Sequence, residues 1–91
     1  MALEGMDVEL VQKLAYDLKN QIETQMRSLI SGVDGIVGQL EGVWRGADAS
    51  DFEHSWQSLH RPALLRCADL VGDLGQLAFT AAQHQNQASQ A

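Results

Sequence analysis

The stretch Val43-Trp44-Arg45-Gly46-Ala47-Asp48-Ala49-Ser50-Asp51-Phe52 lies near the midpoint of the chain, and its reading decides the fold. Upstream of it, apolar residues recur at Val11, Leu14, Leu18, Ile22, Met26, Leu29, Val33, Ile36, Leu40 and Val43. Downstream they recur at Ala49, Phe52, Trp56, Leu59, Ala63, Cys67, Leu70, Leu74, Leu77 and Ala81. Both sets step by threes and fours, about 3.6 residues on average, which is the period of an amphipathic helix and not of a strand. The two stripes match in length and flank one short link, so the spacing predicts an antiparallel helical hairpin. Helix 1 is expected over about 7–42, a turn over 43–47, helix 2 over about 48–83, and a disordered polar tail over about 84–91. At ~1.5 Å per residue each helix would run roughly 50 Å.

Local signals fit this reading. Asp7 is placed to cap helix 1. Gly46 can take a positive φ and reverse the chain. Asp48 or Ser50 is expected to cap helix 2, and Ser50-x-x-Glu53 has the form of a capping box. Pro62 falls inside helix 2, where it removes a hydrogen bond and crowds the preceding turn, so a kink or a restarted helix is expected near Leu59–Pro62. Gly32, Gly35, Gly38 and Gly42 crowd the end of helix 1. They read as a loosened, exposed helix end, or as a flat strip that another backbone approaches closely.

Ala15, Ile30 and Val37 widen the apolar arc of helix 1, and Leu64, Val71 and Ala78 widen that of helix 2. Each arc is broader than one partner helix covers, and a lone hairpin of 91 residues is marginal. The expectation is a dimer of hairpins, an all-α four-helix bundle. Its hairpin or dimer core would comprise Leu14, Leu18, Ile22, Leu29, Val33, Ile36 and Leu40 from helix 1. Phe52, Trp56, Leu59, Leu70, Leu74 and Leu77 would come from helix 2. Phe79 projects roughly 160° from the centre of the second stripe, with Gln83 one turn beyond it on the same face. It reads as a stray exposed aromatic, a contact with a partner chain, or a recognition spot.

Composition excludes several classes of function. The net charge is −6, and the six Lys+Arg are scattered singly. That is a poor match to nucleic-acid phosphates or anionic lipid, so neither nucleic-acid binding nor stable membrane insertion is expected. No apolar run reaches the ~18 residues of a membrane span. The segment Met1–Asp7 has no basic region and no apolar core, so no cleavable signal peptide is expected. The single Cys67 allows no internal disulfide; it reads as a small buried hydrophobe on the stripe, or else as a reactive thiol or an intermolecular bridge. His54, His60 and His84 show no i, i+4 pairing, which points away from a metal site. No glycine-rich loop follows a strand, no inward Glu-x-x-His pattern occurs, and no base stands beside a nucleophile. The reading is of a non-enzymatic protein without cofactors.

A hairpin of about a hundred residues with Trp44-x-Gly46 in its central turn resembles the WXG family, the small ESX-type substrates of type VII secretion. The run Val43–Phe52 looks like that family's turn and start of its second helix, and the likeness extends over nearly the whole chain. The resemblance implies a four-helix dimer exported folded by an ATPase-driven machine, cytoplasmic before export and secreted without a cleaved leader. It implies as partner a second copy, another WXG-type protein, or the N-terminal hairpin of a toxin. By the same analogy, Trp44 and Gly46 form the turn part of the export signal. The other part is a Tyr-x-x-x-Asp/Glu motif after the second helix. Here the nearest match is Phe79-Thr80-Ala81-Ala82-Gln83, with no hydroxyl and no acid. That departure implies either a partner that supplies the motif or an aromatic that suffices alone. The alternatives to a secreted partner are a cytoplasmic dimeric scaffold that is never exported and, less well supported by the charge, a membrane-active effector.

Overall fold

In the computed structural model the described residues are 5–90, with side chains described to Gln87; the expectations for Met1–Glu4 and Ala91 lie outside them. The described residues are all helical apart from the turn and the approach to the first helix, with no strand among them. Helix 1 consists of α1 (Val8–Tyr16), one wide π turn (Asp17–Ile22) and α2 (Glu23–Val43). Helix 2 consists of α3 (Ala47–Ser55), a second π turn (Trp56–His60) and α4 (Arg61–Gln90). The two lie side by side as a rod of 66 × 18 × 17 Å.

The start of helix 1 follows the sequence. The Asp7 carboxylate accepts a hydrogen bond from the Leu10 N–H at 3.1 Å, satisfying one of the orphan donors of the first turn. The other expected caps do not form. Gly46 is itself the N-cap of α3, without a side-chain bond, so Asp48 and Ser50 lie inside the helix. The Ser50 N–H donates to the Gly46 carbonyl at 3.1 Å, and Glu53 pairs elsewhere. Pro62 is accommodated as a restart. A π turn precedes it, with the Arg61 N–H donating five residues back to the Trp56 carbonyl. The widened turn absorbs the donor that Pro62 lacks. The tail expected to be disordered from 84 is instead a continuation of α4 to Gln90. Nothing between Thr80 and Gln90 breaks a helix: the segment holds no Gly or Pro, and Ala and Gln are good helix formers. That extension makes the rod longer than the roughly 50 Å expected.

The interface inside the hairpin is not the one the stripes suggest. The side chains buried between the helices are Ala15, Ile30 and Val37 from helix 1 and Trp56, Ala68 and Ala82 from helix 2. Gly72 and Gly75 are buried with them. On helix 1 the contact face is thus the flank of the apolar arc. On helix 2 it is a small-residue face, Ala68-Gly72-Gly75-Ala82, opposite the leucines. A Cβ built on Gly75 would lie 2.9 Å from the Ala15 carbonyl oxygen and 3.0 Å from the Lys19 nitrogen. The backbones therefore meet at the level of the first π turn, and only glycine fits there.

The predicted core residues redistribute accordingly. Trp56 is buried, while Leu18 and Leu40 are half-buried. Leu29, Ile36, Leu59, Leu70, Leu74 and Leu77 remain 55–71% exposed, and Leu14, Ile22, Val33 and Phe52 are also exposed. As a hairpin core these ten are corrected: they point outward because the small-residue face brings the helices closer than leucines would allow. They form instead an apolar surface on the outside of the rod.

Candidate functional site: the Trp-x-Gly turn

Helix 1 ends when Trp44 leaves helical dihedrals for an extended conformation (φ −131°, ψ 119°), while its N–H still donates to the Leu40 carbonyl at 2.8 Å. Gly46 then takes φ 118° and ψ −176°, a region that costs an L side chain strain of ~1–3 kcal/mol. It is the one positive-φ residue among those described. Gly46 is thus fixed by backbone geometry. Trp44 is not: any residue can adopt its dihedrals.

The Trp44 indole stays partly exposed and tilts against the Phe52 ring, with centroids 5.5 Å apart and planes at 48°. Such pairs are worth ~0.5–1.5 kcal/mol beyond area burial. The pair walls an open recess of about 290 Å³ at the tip of the rod, lined also by Val37, Leu40, Ala49 and the Glu41 and Glu53 side chains. A hydrogen bond with Glu41, and the charge of that neighbour, hold the Glu53 carboxyl above the usual glutamate range. The turn therefore presents a defined aromatic and acidic surface, with Arg45 beside it.

Below the turn lies a polar cluster that sequence reasoning missed. The Trp56 indole N–H donates to the Asp34 carboxylate at 2.8 Å, and the Arg61 Nε donates to both Asp34 oxygens at 3.0 Å. Hydrogen bonds from Arg61 first, then Trp56, hold Asp34 below the usual carboxylate range. This cross-link ties helix 1 to the segment around the second π turn. Its signal was present in part: a buried Trp needs an acceptor, and Asp34 stands four residues from Ile30 and three from Val37.

Phe79 lies far from this tip. It is half-buried against helix 1, in a recess lined by Ala15, Tyr16, Lys19, Asn20, Gly75 and Gln76. The expectation that the hairpin does not explain Phe79 is corrected. It sits on the small-residue face of helix 2, which packs inward. Gln83, one turn on, is exposed. Within one chain the structure does not bring Trp44 and Gly46 together with Phe79 and Gln83: they occupy opposite ends of the rod. Among the described residues no cluster of His, Cys, Asp and Glu is arranged to hold a metal ion, and no helix is long and apolar enough to cross a membrane. Comparison of the chain with protein-family models, curated proteins and solved structures finds no match.

Proposed function

We propose that this chain is a non-enzymatic substrate or adaptor of type VII (ESX) secretion, of the WXG kind, that pairs with a second helical hairpin and is exported folded. The observation that carries the reading is the turn. Gly46 has a backbone reason to be where it is, whereas Trp44 has none and yet displays its indole at the tip of the rod. An aromatic that the turn's backbone does not require, paired with Phe52 and still partly exposed, is the kind of surface a partner or translocase reads. Supporting it, the outward leucines leave an apolar surface that a second hairpin would cover. Partners of this reading are a second copy, a WXG-type sibling or the N-terminal hairpin of a toxin, together with the secretion ATPase. The chain would be cytoplasmic before export and secreted after it. It is expected to do no catalysis and need no cofactor.

One observation favours the second reading, a cytoplasmic dimeric scaffold. Phe79, the aromatic of the degenerate C-terminal motif, is tucked against helix 1 rather than displayed. In the secretion reading, the partner supplies that half of the signal. The deciding experiment expresses the wild-type chain and Trp44→Ala in cells with an active type VII system and assays the culture medium. Wild type in the medium and Trp44→Ala retained in the cell, with its association intact, supports export. Wild type found only in lysate, or Trp44→Ala exported as well as wild type, overturns it.

A further inference from the structure

We infer that Asp34 is a positioning residue for the turn: through Trp56 and Arg61 it holds α3 at a fixed distance from α2, and that distance shapes the tip on which Trp44 is displayed. This rests on the reading above that the tip is the surface a partner or translocase reads.

The inward face of helix 2 changes size toward the turn. It runs Gly75, Gly72, Ala68, Leu65, Arg61 and Trp56. At Gly75 the backbones touch, since a Cβ there would lie 2.9 Å from the Ala15 carbonyl oxygen. At the other end the buried Trp56 ring, packed with Ile30, Val37 and Leu65, fills the interface. Side-chain size at a helix contact sets the distance between the axes. The rod is therefore a wedge, closed at Gly75 and splayed toward the turn. The Cα atoms of α2 and α3 stay more than 8 Å apart over nearly all their length.

The steps along this face are threes and fours until the last, from Arg61 to Trp56, which is five. On a regular α-helix, side chains five apart diverge by ~140° at 100° per residue. The π turn removes that divergence: the Arg61 N–H donates five residues back to the Trp56 carbonyl. Both side chains then reach one acceptor. The indole N–H lies 2.8 Å from Asp34 and the Arg61 Nε lies 3.0 Å from each of its oxygens. A charged acceptor with two such donors fixes orientation as well as distance.

Nothing comparable holds α3 itself. What spans its gap to helix 1 is the Trp44–Phe52 ring pair and the Glu41–Glu53 carboxyl pair. The carboxyls repel when both are ionised, which favours an open gap. The recess of about 290 Å³ at the tip is that gap. Asp34 stands ten residues before Trp44, roughly 15 Å along the helix. It therefore acts on the displayed indole through helix 2 and not by contact.

The two tryptophans give two indole N–H signals in a nitrogen-15 NMR spectrum, and Trp44→Phe assigns them. In Asp34→Ala the Trp44 signal should move. The Trp56 indole and the α3 amides should exchange with solvent about tenfold or more faster, while the amides of 68–82 keep their rates. Asp34→Asn retains one acceptor oxygen and should fall between. Deleting Gln57, an exposed residue of the π turn, restores α-helical register and should move the Trp44 signal with Asp34 still present. A Trp44 signal unmoved in Asp34→Ala or in the deletion overturns the inference. So does exchange quickened equally in every segment, wholesale unfolding included. In the export assay Asp34→Ala should be retained like Trp44→Ala; export at the wild-type level overturns the link from Asp34 to the display. A wild-type chain that is never exported sinks the secretion reading alone and leaves the NMR result standing.

Discussion

Apart from Trp56, Leu65 and half-buried Phe79, the two faces of helix 2 differ in size more than in polarity. Toward helix 1 it presents Ala68, Gly72, Gly75 and Ala82, and away from it Leu59, Leu70, Leu74 and Leu77. The more hydrophobic face is the one left outside. Close packing of two helices depends on how near the backbones can come, and small residues permit the nearest approach. Leucines gain most from burial, ~1.5–3 kcal/mol each, and on this face that gain is not taken within the hairpin.

The strongest way to break this comparison is at adjacent residues of opposite kind. Gly75→Leu drives a side chain into the Ala15 carbonyl and the Lys19 backbone and should cost ~3 kcal/mol or more, opening the hairpin. Its neighbour Leu74→Glu should leave the hairpin's helicity unchanged and abolish association. Circular dichroism melts and sedimentation on the two variants separate the effects; equal losses of helicity would erase the distinction between the faces. A finer contrast lies within the small face. Gly75→Ala should cost about 1–3 kcal/mol. Gly72→Ala meets only the movable carboxylate end of Glu23 at 2.8 Å and should cost less than ~1 kcal/mol. On the outside of helix 1, Gly38→Ala has open space and should stabilise by ~0.5–1 kcal/mol.

The smallest effect is on pH. Asp34 is held low, so its contribution is present above the usual carboxylate range and is lost as pH falls through the depressed value. Glu53 is held high, so its unfavourable pairing with Glu41 acts at neutral pH and is relieved as pH falls toward the carboxylate range. A melting profile should therefore rise slightly from neutral pH into that range and fall below it. Glu53→Gln should remove the rise and Asp34→Asn the fall.

The hairpin was legible because periodicity and the glycine turn are local signals: two stripes of 3.6 period can be counted, and Gly46 is required by its φ. The turn position of Gly46 was legible for the same reason, whereas no backbone requirement marks Trp44. The choice of which face packs inward was not, because it depends on interhelical distance, which no single helix encodes. Ala and Gly in the interface look neutral in a hydrophobic stripe, so Phe79 among them looked stray. The Trp56–Asp34–Arg61 cross-link joins residues 22 and 27 positions apart, beyond any helical spacing rule. The continuation past Gln83 was misread because a glutamine-rich composition suggests disorder while each residue in it tolerates a helix.

The central claim is that the leucine face is covered when the protein is at work. Cys67 reports on it directly, since it lies on that stripe and its thiol is exposed in the single chain. The decisive measurement is the rate of thiol labelling of Cys67 in the folded, native assembly, set against the Leu74→Glu monomer. The account predicts fast labelling of the monomer and labelling slowed by about tenfold or more in the assembly, the mark of a site opened only by dissociation. Equal rates in the two would contradict it.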